Sequence, residues 1–137
     1  MEKYLYSKRD TEEFAISIAK QLSVGDILAL YGELGAGKTF FTQMLCKALG
    51  VHENVTSPSY VLMNEYIGSI SIAHLDLYRL NSEDELLELG LEDIFEDRLT
   101  IIEWPEISEK ILPSRTIKLY FNLENDHRKV KLLNFKK

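Results

Sequence analysis

The sequence predicts an α/β fold with a mixed central sheet between two layers of helices, as one domain over residues 1–137. Runs rich in β-branched and aromatic residues alternate with segments whose apolar residues recur at helical spacing, and this interleaving is typical of α/β proteins. The apolar fraction is 45% and the charged fraction 28%, ordinary values for a globular domain. A chain of this length buries roughly two thirds of its unfolded surface, which is enough for a core.

The N-terminal part predicts a strand, a helix, a second strand and a second helix. Lys3–Ser7 reads as a short strand, and a capping-box pattern at Asp10 predicts the start of the first helix. Ile27–Tyr31 is a continuous apolar run, as expected of a strand buried on both faces. Lys38–Leu49 carries apolar residues at helical spacing, and Gly50 supplies the stop.

The middle of the chain predicts a hairpin and then short acidic helices. Val55–Tyr78 looks extended and is divided by a turn at Gly68 and Ser69. A capping box at Ser82 opens an acidic helix that stops near Gly90. A second helical piece covers Leu91–Phe95.

The C-terminal part predicts one more buried strand and a second hairpin. Leu99–Trp104 is an apolar run that contains Glu103 and is ended by Pro105. Two segments with alternating apolar and polar residues then follow, joined by a predicted loop. These are Thr116–Phe121, the loop Asn122–His127, and Lys129–Phe135.

Charge and cysteine content restrict the function classes. The formal net charge of −6 argues against a broad nucleic-acid-binding surface. Ser82–Lys110 is strongly acidic and Pro113–Lys137 is basic, which indicates either two solvated faces or a basic tail that meets an acidic partner or RNA phosphate. Cys46 is the single cysteine, so an internal disulfide is excluded and a reducing cytoplasm is favoured. We expect neither a signal peptide nor a membrane span.

The most informative segment is Gly32–Thr39, which fits the pattern G-x-x-x-x-G-K-[ST] without a mismatch. Its glycines let backbone N–H groups approach phosphates, and the helix that follows adds positive charge at its N-terminus. Lys38 supplies a full charge for the β and γ phosphates, and the Thr39 hydroxyl suits Mg²⁺. The segment lies between a predicted strand and a predicted helix, as a P-loop does. This position predicts a P-loop NTPase-like three-layer fold that binds ATP and Mg²⁺.

A P-loop ATPase also needs an acidic residue near Mg²⁺ and a group that positions the attacking water. Asp76 follows the run Ile70–Leu75, and Glu103 follows the run Leu99–Ile102. Because ligands of open α/β sheets lie beyond the carboxyl ends of strands, both acids are candidates. The alternative for each is a solvated carboxylate at a strand end.

Four segments occur in a specific order along the chain: Gly35–Thr39, Ser57–Tyr60, His74–Leu80 and Ile102–Glu106. The phosphate loop alone is common, whereas its combination with H-x-D-L-Y-R-L and E-W-P-E is specific. Together the four segments resemble the TsaE family (formerly YjeE), bacterial ATPases of tRNA threonylcarbamoyladenosine biosynthesis. The resemblance covers about Ser23–Glu106 by motif.

The resemblance implies a slow ATPase that acts with TsaD-like and TsaB-like partners on tRNAs reading ANN codons, so that tRNA is contacted indirectly. It implies that Lys38 and Glu103 are catalytic, with Glu103 either orienting the attacking water or contacting the ligands of the metal. The implied metal residues are Thr39, Asp76 and Glu103. The implied nucleotide-binding residues are Glu33, Leu34, Gly35, Ala36, Gly37, Lys38, Thr39, Phe40, Ser59 and Trp104.

Two departures from the family pattern concern Ser59 and Phe40. Ser59 stands where the family usually has Thr and keeps the hydroxyl with less side-chain rigidity. Phe40 stands where the family often has Thr, which removes a second hydroxyl near the α-phosphate. A small-molecule kinase and a nucleotide-sensing binding module remain the alternative functions.

Three other residues allow a structural interpretation. A hydrogen-bonded strand histidine is the favoured interpretation of His74, rather than a catalytic base. For Arg79 two interpretations stay open: a structural ion pair, and a contact to phosphate or to a partner protein. Cys46 is expected to be a small buried hydrophobe.

Overall fold

A computed structural model describes residues 1–58 and 61–135, and over these ranges the chain forms a mixed seven-stranded sheet. The strand order is β1-β7-β6-β2-β5-β4-β3. β2 lies at the centre and pairs in parallel with β5 and β6, while β4 pairs in parallel with β5. The remaining pairs are antiparallel. The strands are β1 (Glu2–Leu5), β2 (Ile27–Tyr31), β3 (Met63–Ile67), β4 (Ser71–Asp76), β5 (Leu99–Glu103), β6 (Ile117–Glu124) and β7 (His127–Leu133).

Helices cover both faces of this sheet, so the predicted three-layer α/β fold is confirmed. On one face, α1 and α2 pack through an aromatic cluster in which Phe41 lies 5.5 Å from Phe14 and 5.4 Å from Phe121 between ring centroids. On the other face, α3 and α4 bury Leu86 and Phe95 against the sheet. The helices are α1 (Lys8–Ala19), α2 (Lys38–Ala48), α3 (Glu83–Leu87) and α4 (Leu91–Asp97), with a 3₁₀ turn at Pro105–Ser108.

The central strands carry almost nothing but buried side chains. All five residues of β2 are buried, and so are all five of β5, which explains their continuous apolar runs. Cys46 is fully buried, and burial raises the pKa of its thiol to about 12. None of the helices in the described ranges is both long enough and apolar enough to cross a lipid bilayer.

Two local predictions were wrong. The N-cap of α1 is Ser7 rather than Asp10: the Ser7 hydroxyl accepts from the Asp10 N–H at 3.1 Å, and the Asp10 carboxylate accepts from the Tyr6 N–H at 2.9 Å. The predicted loop Asn122–His127 is almost entirely strand, because β6 and β7 stay paired as far as Glu124 opposite His127. Asn125, with a φ of 44°, starts the two-residue turn that remains.

Candidate nucleotide-binding site

A cavity of about 580 Å³ lies at the carboxyl ends of β2, β4 and β5. This is where ligands of open α/β sheets bind, since several parallel strands end there together. The phosphate-loop segment forms one wall, and residues after β4 and β5 form the other. The lining residues are Leu34, Gly35, Gly37, Lys38, Thr39, Phe40, Ser57, Asp76, Tyr78, Arg79, Glu103 and Trp104.

The loop between β2 and α2 has the backbone that the glycine pattern predicts. Gly32 has a φ of +144°, and a Cβ there would lie 2.6 Å from the Phe121 carbonyl oxygen, so a side chain has no space. Gly35 and Gly37 also have positive φ, at 83° and 107°. Successive N–H groups in such turns form a concavity that binds anions, and the N-terminus of α2 at Lys38 adds partial positive charge to it.

Lys38 carries a buried positive charge at this concavity. The residue is only 5% exposed. Its Nζ donates to the Gly32 carbonyl oxygen at 2.5 Å and lies 3.6 Å from the centre of the Trp104 ring. Burial lowers the pKa of the Lys38 ammonium, while the nearby carboxylates of Glu103, Glu106 and Asp76 oppose that shift.

No carboxylate in the described ranges forms an ion pair with Lys38 within 4 Å. The direct contacts of the desolvated ammonium are a carbonyl and a ring face, and the nearby carboxylates act on it only from beyond ion-pair distance, so its charge is incompletely compensated. A bound polyphosphate would compensate it and would use the same amide concavity. The residues present therefore fit the phosphates of a nucleotide.

Glu103 links the phosphate loop to the interior of the sheet. Its carboxylate is 2% exposed and has two partners on opposite sides. Oε1 accepts from the Thr39 hydroxyl at 3.3 Å, and Oε2 lies 2.6 Å from His74 Nε2. His74 is thus a hydrogen-bonded strand histidine, as the sequence favoured.

Asp76 lies beside Glu103, because the two residues are partners in the register of β4 and β5. It is 2% exposed, and its Oδ1 accepts from the Tyr78 N–H at 2.9 Å. Its Oδ2 accepts from the Ser57 hydroxyl at 3.3 Å. The structure thus brings the two predicted acids together at the mouth of the phosphate loop.

The predicted metal residues Thr39, Asp76 and Glu103 meet on one side of the cavity. Across residues 1–58 and 61–135, no three His, Cys, Asp or Glu side chains are grouped as a metal site by themselves. Two carboxylates and a hydroxyl suit Mg²⁺, which usually takes one or two carboxylates and completes its shell with water and phosphate oxygens. The donor set fits magnesium that arrives with a nucleotide.

Trp104 closes the cavity on the side of β5. It has a φ of 54°, in the left-handed region, and Pro105 follows it at the start of the 3₁₀ turn. This backbone turns the indole ring out of the sheet and over the Lys38 ammonium. Tyr78, after β4, lies 4.8 Å from the Trp104 ring between centroids, so the two rings form an aromatic edge to the cavity.

The remaining predicted residues are distributed around the loop. Glu33 and Leu34 are exposed, and Leu34, 91% exposed, stands at the loop tip. Phe40 lines the cavity, and Lys8 Nζ lies 5.6 Å from the centre of its ring. Ser59 falls outside the described ranges.

Arg128 is a site residue that the sequence reasoning missed. It lies on β7, and its Nε donates to the Ala36 carbonyl oxygen at 3.1 Å. Its Cδ would lie 2.8 Å from a Cβ built on Gly37, so the side chain passes directly against the outside of the phosphate loop. No local pattern could reveal this contact, because 92 residues separate Arg128 from Ala36.

Comparisons with known proteins identify the family of the chain. Residues 5–130 match the family model described as "Threonylcarbamoyl adenosine biosynthesis protein TsaE". The chain belongs to the TsaE family. The TsaE protein of Rickettsia bellii is 38% identical over 128 residues, covering 92% of this chain and 89% of the relative.

A TsaE protein from another bacterium and one solved structure are also similar to this chain. The TsaE protein of Haemophilus influenzae is 41% identical over 106 residues, covering 76% of this chain and 67% of the relative. The crystal structure titled "Bacillus subtilus YdiB" superposes with a TM-score of 0.80 at 27% identity, covering 95% of this chain and 82% of that one. The fold and the family predicted from the sequence are therefore confirmed.

Proposed function

We propose that this chain is a magnesium-dependent ATPase that supports the formation of threonylcarbamoyladenosine in tRNAs reading ANN codons. The observation that carries the proposal is the buried Lys38 ammonium, which faces an amide concavity and has no carboxylate partner in the described ranges. A triphosphate would supply a counter-charge in direct contact with this ammonium. The relatives, which are named as tRNA threonylcarbamoyladenosine biosynthesis proteins, supply the biosynthetic context.

The residues of the chain divide the work of hydrolysis. Lys38 and the loop amides bind the phosphates and neutralise the charge that develops as water attacks the γ-phosphate in line. In this proposal Glu103 orients the attacking water through Oε1, and the contact of Oε1 with the Thr39 hydroxyl supports that role. When bound, Mg²⁺ supplies further neutralisation of phosphate charge, and Thr39 and Asp76 are the groups that would hold it.

The aromatic edge made by Trp104 and Tyr78 is suited to the nucleoside. Aromatic rings offer an apolar face on which a base can stack. The single tryptophan at the cavity also provides a fluorescence signal for binding.

The partners proposed are TsaD-like and TsaB-like proteins, with tRNA reached through them. A net charge of −6 supports an indirect role for tRNA, since a polyanion is repelled by an acidic protein. The proposed compartment is the cytoplasm, and the free, buried Cys46 is consistent with it.

The test is ATP turnover by the purified protein, alone and with its TsaD-like and TsaB-like partners and tRNA. The Lys38→Met variant, prepared in parallel, measures contaminating ATPase. We expect slow turnover alone and marked stimulation by the partners. Phosphate appearing on a metabolite would instead indicate a kinase, and binding without turnover under every condition would indicate a nucleotide-sensing module.

A further inference from the structure

We infer that His74 is a positioning residue for Glu103, one that holds the carboxylate by one oxygen so that the other faces the nucleotide. This inference rests on the proposed ATPase function. It assigns a task to a buried histidine that does not touch the cavity.

The strand register sets up the contact. His74 and Asp76 are two residues apart on β4 and therefore lie on the same face of the sheet, the face that α2 covers. Glu103, at the end of β5, is opposite Asp76. From this position its side chain reaches back to His74 Nε2 at 2.6 Å and sideways to the Thr39 hydroxyl at 3.3 Å.

The second ring nitrogen indicates which form of His74 is present. Nδ1 is buried and has no hydrogen-bond partner within the part of the chain that the structure describes. A proton on Nδ1 would create a buried donor without an acceptor, which costs roughly 1–3 kcal/mol. The geometry therefore points to a proton on Nε2, donated to Glu103 Oε2.

This donation divides the two carboxylate oxygens of Glu103 between two tasks. Oε2 is held inside the sheet by a charge-assisted hydrogen bond, which fixes the side-chain rotamer. Oε1 is then presented to Thr39 and to the cavity. Glu103 can offer only one oxygen to the attacking water or to the metal shell, and its direction is set by His74.

A purely structural role explains the pair less well. Burying a histidine and a carboxylate removes both from water, and apolar side chains of similar volume often stabilise a protein at least as much. The neighbouring interior positions of β4 and β5 are in fact mostly apolar. What an apolar pair could not do is orient a carboxylate toward the phosphate loop.

The test compares three variants of the full chain in the partner-stimulated ATPase assay. His74→Leu removes the donor, and we expect kcat to fall about 10–100-fold, as is typical when the hydrogen-bond partner of a site ligand is lost. We expect the KM for ATP to stay within about threefold, since the phosphate loop is untouched. His74→Gln, whose Nε2 can still donate, should recover most of kcat.

Thr100→Val is the matched control, because Thr100 is fully buried like His74 but lies on β5 and points to the opposite face of the sheet, and its hydroxyl has no partner among the described residues. It should leave kcat and KM unchanged. Equal kcat in wild type and His74→Leu would overturn the inference. So would a His74→Gln variant as impaired as His74→Leu.

A second measurement needs no turnover and no variant. ¹⁵N NMR of the imidazole in the wild-type protein should show a proton on Nε2 and none on Nδ1. A proton on Nδ1 would overturn the inference even if the protein hydrolyses ATP. Absence of turnover by the wild type with its partners would instead contradict the proposed function, so the two failures can be distinguished.

Discussion

Replacing Lys38 with Met tests two effects of the lysine charge, namely its contribution to ATP binding and its cost to the stability of the nucleotide-free protein. Lys38 is 5% exposed, and its ammonium is held by one carbonyl and one aromatic face. Met keeps much of the apolar stem but removes the charge. Deleting one partner of a desolvated charged contact costs about 2–5 kcal/mol of binding, so we expect the Kd for ATP to rise roughly 30- to 4,000-fold.

The stability of the nucleotide-free protein should respond in the opposite way. A buried charge that lacks a counter-charge destabilises the fold, so removing it should leave the free energy of unfolding unchanged or raise it by up to about 1 kcal/mol. Calorimetric titration with ATP and magnesium gives the affinity. Urea denaturation without nucleotide gives the stability.

The pH dependence of this difference has a definite sign. Burial lowers the pKa of Lys38 in the folded state, so in alkaline solution the unfolded chain binds more protons than the folded one. The wild type should therefore gain stability relative to Lys38→Met as the pH rises toward the unfolded lysine pKa of about 10.4. Unchanged ATP affinity, or a nucleotide-free variant destabilised by more than about 2 kcal/mol, would refute the reasoning, because either result would make Lys38 a structural residue.

Three further predictions concern other parts of the molecule. Asp76→Asn keeps the oxygen that accepts from the Tyr78 N–H but loses the charge. Magnesium should therefore no longer strengthen ATP binding, while the affinity for ATP without metal is retained. Equal loss of ATP affinity with and without magnesium would show that another residue binds the metal. Gly32→Ala should lower the free energy of unfolding by about 2–5 kcal/mol, against about 1–2 kcal/mol for Gly35→Ala. Of these two glycines, only Gly32 lies so close to other backbone that an added Cβ would collide with it. Equal losses of stability in urea denaturation would contradict this prediction. The thiol of Cys46, buried and with its pKa raised to about 12, should react with a maleimide only after unfolding, and rapid labelling of the native protein would show that α2 opens.

Local patterns predicted the elements that carry the phosphate loop. The apolar run Ile27–Tyr31 is a strand with the same bounds in the structure, since a run buried on both faces needs no information from elsewhere in the chain. The capping box at Ser82 is also confirmed, because the Ser82 hydroxyl accepts from the Glu85 N–H at 3.3 Å. Such features depend on residues within one turn of each other.

The errors arose where two local patterns competed or where pairing extended a strand. Ser7 and Asp10 both have side chains that cap helices, and the structure uses Ser7 as the cap and Asp10 as its partner. The loop predicted at Asn122–His127 is short because the polar residues there still pair across the hairpin. Sequence polarity alone does not distinguish an exposed strand end from a loop.

The site features that sequence could not show are long-range contacts. The hydrogen bond between His74 and Glu103 requires β4 to lie beside β5, which is a property of the sheet order. The Arg128 contact requires the final hairpin to pass next to the phosphate loop. The sequence patterns predict which residue types belong to the site, whereas the order of the strands determines which of those residues are in contact.

The most direct test of this account is a crystal structure of the protein with magnesium and a non-hydrolysable ATP analogue. The account predicts β- and γ-phosphate oxygens within hydrogen-bonding distance of the backbone nitrogens of Gly35–Thr39, with the Lys38 ammonium moved from the Gly32 carbonyl to the phosphates. A triphosphate bound at another surface, with Lys38 still on that carbonyl, would contradict it.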